Sequence, residues 1–157
     1  MKKIIVIIAL ALTTFACKST SAVSTKSDNK KEAAIKGNWT LTSVTYPGSE
    51  FIKVNAFQIA DSECFEGSTW SFVANNNKGS VTINKADCAA FSSPITWYVN
   101  KEEQFILKVL NAGVKAKKVR DGYALRLANQ TNDSFQLIDK IDVGGKINEV
   151  VYQFQKN

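Results

Sequence analysis

The sequence predicts an all-β domain, an antiparallel up-and-down meander closed into a barrel of about eight or nine strands. Three observations carry this. Short runs alternate apolar and polar residues, turn-forming residues separate them at close spacing, and the apolar positions of the runs fall on one face. A sheet with one apolar face must cover it, and closing the sheet on itself does so while removing its edges.

The series opens with Trp39-Thr40-Leu41-Thr42. A break at Pro47-Gly48 starts a long irregular region, residues 46–68, within which residues 54–61 are expected as a short helix or an extra strand. Residues 69–74 and 80–83 flank Asn75-Asn76-Asn77-Lys78-Gly79, a turn by composition, and residues 94–99 and 104–109 flank Asn100-Lys101-Glu102-Glu103. In the second half, Asp121-Gly122 separates expected strands 114–120 and 123–127, and Gly144-Gly145 separates 135–143 from 146–154. Both dipeptides suit two-residue turns that need positive φ. Alternation places Trp39, Leu41, Trp70, Phe72, Ile95, Trp97, Phe105, Leu107, Tyr123, Phe135, Tyr152 and Phe154 on the inner face, with Thr40, Ser71, Thr96, Lys108, Arg126 and Gln153 outside.

Gly37-Asn38-Trp39 at the start of the first strand, followed by a meander of this length, resembles the lipocalin G-x-W opening. The chain is similar to the lipocalin-like lipoproteins of Bacteroidetes envelopes, and Cys64-Phe65-Glu66-Gly67-Ser68-Thr69-Trp70 with the later Cys88 resembles the paired cysteines of that group. The lipocalin T-D-Y motif is missing, and the last strand lacks the arginine that packs over the family tryptophan, for which Arg126 is the candidate substitute. The resemblance implies a barrel that holds a small apolar ligand in its mouth, with Trp70, Phe72, Trp97, Phe105, Tyr123 and Phe135 as candidate lining and Trp39 closing the base. The same side chains could equally form a filled core, in which case the outer surface or the 46–68 loop would bind another envelope protein.

The N-terminus carries an address. Lys2-Lys3, the apolar run Ile4 to Leu12 and small Ala16 before Cys17 have the layout of an export signal, with an apolar part too short to span a bilayer. Cleavage directly before a cysteine resembles bacterial lipoprotein processing, in which the new N-terminal cysteine is acylated; Ala16 and Cys17 fit that pattern, while Thr14 and Phe15 depart from it. A plain secreted protein is the alternative. The expected organisation is a lipoprotein signal peptide over residues 1–16, a flexible tether over 17–34 that starts at lipidated Cys17, and the barrel over 35–157. The membrane, through the lipid, is thus an expected partner, at the outer membrane of a bacterial envelope. No early acidic cluster follows Cys17, which favours the periplasmic face.

Export also bears on Cys64 and Cys88, an even pair leaving the reducing cytoplasm, for which a disulfide is expected and free buried thiols are the alternative. The chain has no histidine, which removes the commonest general base and metal ligand. No enzyme activity, metal or cofactor is expected, and the domain is expected to be a monomer. Asp61, Glu63 and Glu66 could ligate Ca²⁺ or act as an acid and base pair, but lack EF-hand spacing, and Asp139, Asp142 and Glu149 look like exposed charge among lysines. The full chain holds 20 basic and 14 acidic residues, and its one basic cluster in the domain, residues 115–120, lacks interleaved aromatics. It reads as a solvated strand face, and no nucleic-acid partner is expected.

Overall fold

The computed structural model describes residues 29–49, 53–110, 115–119 and 122–157. The signal peptide, Cys17 and residues 18–28 lie outside the described residues. A helix, α1 (Asn29–Ile35), precedes ten strands: β1 (Gly37–Thr45), β2 (Asn55–Ala56), β3 (Ala60–Asp61), β4 (Thr69–Val73), β5 (Lys78–Ile83), β6 (Phe91–Val99), β7 (Gln104–Val109), β8 (Tyr123–Ala128), β9 (Ser134–Val143) and β10 (Lys146–Lys156). Strands β4 to β10 pair antiparallel with their sequence neighbours, and β1 closes the ring between β10 and β4. Eight strands therefore form a closed barrel, and β2 and β3 form a separate small hairpin.

Inward positions are those the alternation predicts, with one shift. The β1–β10 register slips between Leu41 and Ser43, so that Trp39, Leu41 and then Val44, rather than Ser43, are buried. One extra residue at a bulge flips the alternation beyond it and bends the strand toward its second partner.

The base of the barrel is capped by α1, which covers part of the stretch expected as tether. Glu32, 4% exposed, accepts a hydrogen bond from the Val99 N–H at 2.9 Å and another from Asn77 Nδ2 at 3.3 Å. Gln130 Nε2 donates to the Lys31 carbonyl at 2.9 Å, and Lys31 pairs with Glu103 at 2.7 Å. The helix is thus tied to three different turns of the meander, residues 74–77, 100–103 and 129–133. The helix-to-strand corner falls at Gly37, whose φ of 133° is closed to other residues without strain. That corner sends Trp39 under the barrel, where its indole N–H donates to the Ile35 carbonyl at 2.6 Å and its ring meets Phe135 edge-on at 4.7 Å.

The cation over Trp39 is not Arg126. Lys156 Nζ sits 5.5 Å from the Trp39 ring centroid, because Lys156 is the β10 residue in register with Trp39. Arg126 lies on the outer surface and pairs with Glu149 at 3.3 Å. The expected strand over residues 114–120 also differs: β7 pairs directly with β8, and Ala116–Lys118 forms a 3₁₀ turn within their connection. Lys108 Nζ reaches back to the Val119 carbonyl at 3.0 Å, tying that connection to the outer face of β7. Asp121 of the expected two-residue turn lies outside the described residues.

At the opposite end, the mouth, Cys64 and Cys88 form the expected disulfide with a Cα–Cα distance of 5.8 Å. It joins the 3₁₀ turn Ser62–Phe65 to the β5–β6 connection, and Lys85 reinforces the join by donating to the Glu63 carbonyl at 2.8 Å. A cross-link closing a loop of this size removes unfolded-state entropy equivalent to about 3.5 kcal/mol. The Cys64→Ala, Cys88→Ala double variant is therefore expected to lose about 2 to 4 kcal/mol in urea unfolding, and reduction of the wild-type chain is expected to give the same midpoint shift.

Candidate ligand site at the barrel mouth

The barrel axis divides into two halves of different construction. In the lower half, wall residues fill the interior themselves. Phe72 lies at the centre, edge-on to Trp97 at 5.2 Å, Phe105 at 5.7 Å and Phe135 at 6.2 Å, while Trp97 stacks on Phe105 and Phe135 on Phe154. Four of the candidate lining residues, Phe72, Trp97, Phe105 and Phe135, are therefore packed together through Phe72, fully buried, and form solid core. Trp39 lies beneath them.

Trp70 links this layer to the mouth, stacking on Phe72 at 6.0 Å below and meeting Phe57 edge-on at 6.3 Å above. Tyr123, half-buried at the rim, meets Phe57 at 5.1 Å. The upper half of the axis is thus filled by a loop residue. Phe57 sits in the turn between β2 and β3, 6% exposed, with its ring also 5.3 Å from Phe65 and 5.3 Å from Tyr152. Its backbone has φ of 53° and that of Gln58 has 54°, two consecutive left-handed residues, neither of them glycine. Each such residue costs on the order of 1 kcal/mol, and the arrangement persists because burial of the Phe57 ring offsets it.

Directly beside Phe57 lies an unusual polar atom. The Tyr152 hydroxyl, on a side chain 1% exposed, is the only buried side-chain polar atom among the described residues that has no hydrogen-bond partner. The contrast with the three tryptophans is sharp, since Trp39, Trp70 and Trp97 donate to the Ile35 carbonyl, the Ser68 hydroxyl and the Lys78 carbonyl. Burial pushes the Tyr152 phenol far above its ordinary value, helped by the negative charge of Asp139 and then by Tyr46.

Asp139 faces the same space. Tyr152 is in register with Leu137, and Val150 with Asp139, so Tyr152 and Asp139 are diagonal neighbours on the inner face of the β9–β10 ladder. Sequence reading set Asp139 among exposed charges, although strict alternation from Phe135 and Leu137 puts it inside. Burial raises its carboxyl above the ordinary value, opposed by a hydrogen bond from the Lys140 main chain. Next to it the wall is loose. The β8–β9 ladder runs only from Arg126↔Ile138 to Ala128↔Gln136, and a cleft of about 440 Å³ on the outer face there is lined by Glu102, Glu103, Gln104 and Arg126 together with Ile138, Asp139 and Lys140.

The loop carboxylates have structural partners. Asp61 accepts from the Glu63 N–H at 3.0 Å and caps the 3₁₀ turn, while Glu66 accepts from the Val44 N–H at 3.0 Å and from Lys85 at 3.3 Å. Tyr46 and Ser62 share a short hydroxyl–hydroxyl bond. Burial, and then the charges of Asp61, Glu63 and Glu66, raise the Tyr46 phenol against the opposing effect of that bond. Among the described residues, no group of histidine, cysteine and carboxylate side chains is placed to hold a metal ion.

A family model described as a lipocalin-like domain matches residues 35–137, two thirds of the chain. The chain belongs to the lipocalin-like domain family. This lipocalin-like chain is similar in fold to two solved structures. One is bovine odorant binding protein in complex with a selenium-containing odorant, at 9% identity over 80% of this chain and 72% of that one, with a TM-score of 0.46. The other is lobster apocrustacyanin A1, at 12% identity over 85% of this chain and 71% of that one, also with a TM-score of 0.46. No curated protein matches the chain.

Two predictions follow the geometry of the mouth. Tyr152→Phe removes a buried hydroxyl without a partner and changes little else, so urea unfolding is expected to show about 1 kcal/mol of added stability. For Asp139 the folded-state carboxyl is raised, so its contribution is fully present below the unfolded value near 3.8 and is lost as pH rises through the folded one. Asp139→Asn is therefore expected to gain stability over wild type as pH rises above about 4 and to show little difference at about pH 3. Parallel pH profiles that never diverge would contradict the inward placement of the carboxyl.

Proposed function

We propose that this lipocalin-like protein is a non-enzymatic, lipid-anchored envelope lipoprotein that binds a small, mainly hydrophobic molecule in the barrel mouth. The observation that carries the ligand reading is the division of the axis: the lower half is filled by wall residues, whereas the upper half is filled by Phe57, contributed by a hairpin held in strained backbone. A side chain on a loop can leave by a turn-level rearrangement, while wall side chains cannot leave without opening the barrel. Family membership supports the same reading at the level of architecture.

The anchor reading rests on the sequence, with Cys17 as the acylated residue and the outer membrane as its site. Helix α1 adds a geometric consequence. It caps the base, so Asn29, the first described residue, lies at the end of the barrel opposite the mouth. No helix among the described residues is long and apolar enough to cross a membrane.

Binding is tested by adding the polarity-sensitive dye N-phenyl-1-naphthylamine to the purified full chain. The expected outcome is a saturable rise in emission that depends on native protein; a response no greater than that of the urea-unfolded chain would contradict the reading. The anchor is tested by fractionation of cells, in which wild type is expected in the membrane fraction and Cys17→Ser in the soluble one. Retention of Cys17→Ser on the membrane would rule out acylation as the attachment.

A further inference from the structure

We propose that the Phe57 ring occupies the ligand's own place, and that the ligand is a flat, neutral, mainly apolar molecule carrying one hydroxyl group that bonds the Tyr152 hydroxyl. The proposal deepens the mouth-binding reading and rests on it.

The shape follows from what surrounds Phe57. Its ring is bounded by Phe65 edge-on at 5.3 Å, Trp70 edge-on at 6.3 Å, Tyr123 edge-on at 5.1 Å and Tyr152 tilted by 32° at 5.3 Å. When the hairpin lifts, these four aromatic rings bound a slot that accepts another flat ring system, which regains the edge-to-face contacts that Phe57 gives up. The hairpin is suited to lifting. β2 and β3 are two residues each, and the main-chain bonds that hold the turn are internal to the hairpin, the Ile59 N–H to the Ala56 carbonyl at 3.0 Å and the Ser62 N–H to the Val54 carbonyl at 2.8 Å, so the turn can open without breaking a barrel strand. The disulfide at Cys64 keeps the following turn pinned, so the motion is confined to the hairpin tip.

The polar requirement follows from Tyr152. Its hydroxyl is buried at 1% exposure with nothing to bond, which is costly in the closed barrel and becomes favourable once a ligand group meets it. Asp139 stands diagonally across on the same inner face. A ligand hydroxyl satisfies both, accepting from Tyr152 and donating to Asp139. A ligand carboxylate would instead meet the Asp139 charge, and the neighbouring Tyr46 is already surrounded by Asp61, Glu63 and Glu66. The slot therefore discriminates against anionic lipids such as fatty-acid carboxylates and in favour of neutral alcohols or phenols.

The test compares 2-naphthol, naphthalene and 2-naphthoate as competitors of N-phenyl-1-naphthylamine on the purified full chain, each probe being compared between variants so that partitioning cancels. Wild type is expected to bind 2-naphthol about tenfold more tightly than naphthalene and to bind 2-naphthoate weakest. Tyr152→Phe is expected to lose that tenfold preference while its naphthalene affinity stays unchanged. Phe57→Ala, with Phe57→Leu as a milder truncation, is expected to bind both neutral probes at least fivefold more tightly, and Asp139→Asn to narrow the gap between 2-naphthoate and 2-naphthol. If the dye and probes bind but Tyr152→Phe keeps the preference, or truncation at Phe57 leaves affinity unchanged, this site is overturned while mouth binding stands. If no probe and no dye binds any folded variant, the binding reading falls with it.

Discussion

Phe72 is the point on which the rest of the barrel depends. Its ring packs against Trp70, Trp97, Phe105, Phe135 and Phe154, side chains from five other positions around the wall. A barrel of eight strands has an interior just wide enough for side chains to fill, so the same residues that bring the sheet into a ring also decide whether the ring is solid. Here the layer around Phe72 is solid, and everything below it is built to stay so. Glu32, buried, ties α1 to the Val99 N–H and to Asn77, and Trp39 is held between Ile35 and Phe135 with Lys156 across its face.

With the lower half committed, the remaining freedom lies above Trp70. There the sheet supplies Tyr123, Tyr152 and Asp139, two of which carry polar groups into an apolar space, and the filling of that space is left to Phe57 on a two-strand hairpin. Left-handed backbone at Phe57 and Gln58, a phenol without a partner and a carboxyl raised by burial are each unfavourable. They occur together in one place, while the base satisfies its polar groups. Concentrated local cost of this kind is characteristic of positions shaped by something other than folding.

Most of the architecture was legible because period-two alternation is a direct record of which side chains face a core. Inner positions such as Trp70, Phe72, Trp97, Phe105 and Phe135 follow from it, as do the Gly144-Gly145 turn and the pairing of Cys64 with Cys88. The β1 bulge was not legible, since an extra residue leaves no mark in composition. Nor was the loss of the 114–120 strand, where Val114 to Arg120 has the right pattern but β7 already satisfies β8. For the site, the inward place of Asp139 is legible from the alternation through Phe135 and Leu137, which its charge masks. That of Phe57 is not, because a loop residue enters a barrel through tertiary contacts that no local period encodes. The cation over Trp39 depends on register: Lys156 lies beside it only because β1 closes against β10.

The central claim is that the molecule has a fixed lower core and an exchangeable plug. Native-state amide hydrogen exchange tests it most directly, using the Ile59 and Ser62 N–H groups, which bond to the Ala56 and Val54 carbonyls, against the amides of β4 and β10. The account predicts that Ile59 and Ser62 exchange through a local opening, with rates insensitive to low urea and far above those of the two strands. Exchange of all these amides together, with one shared urea dependence, would contradict it.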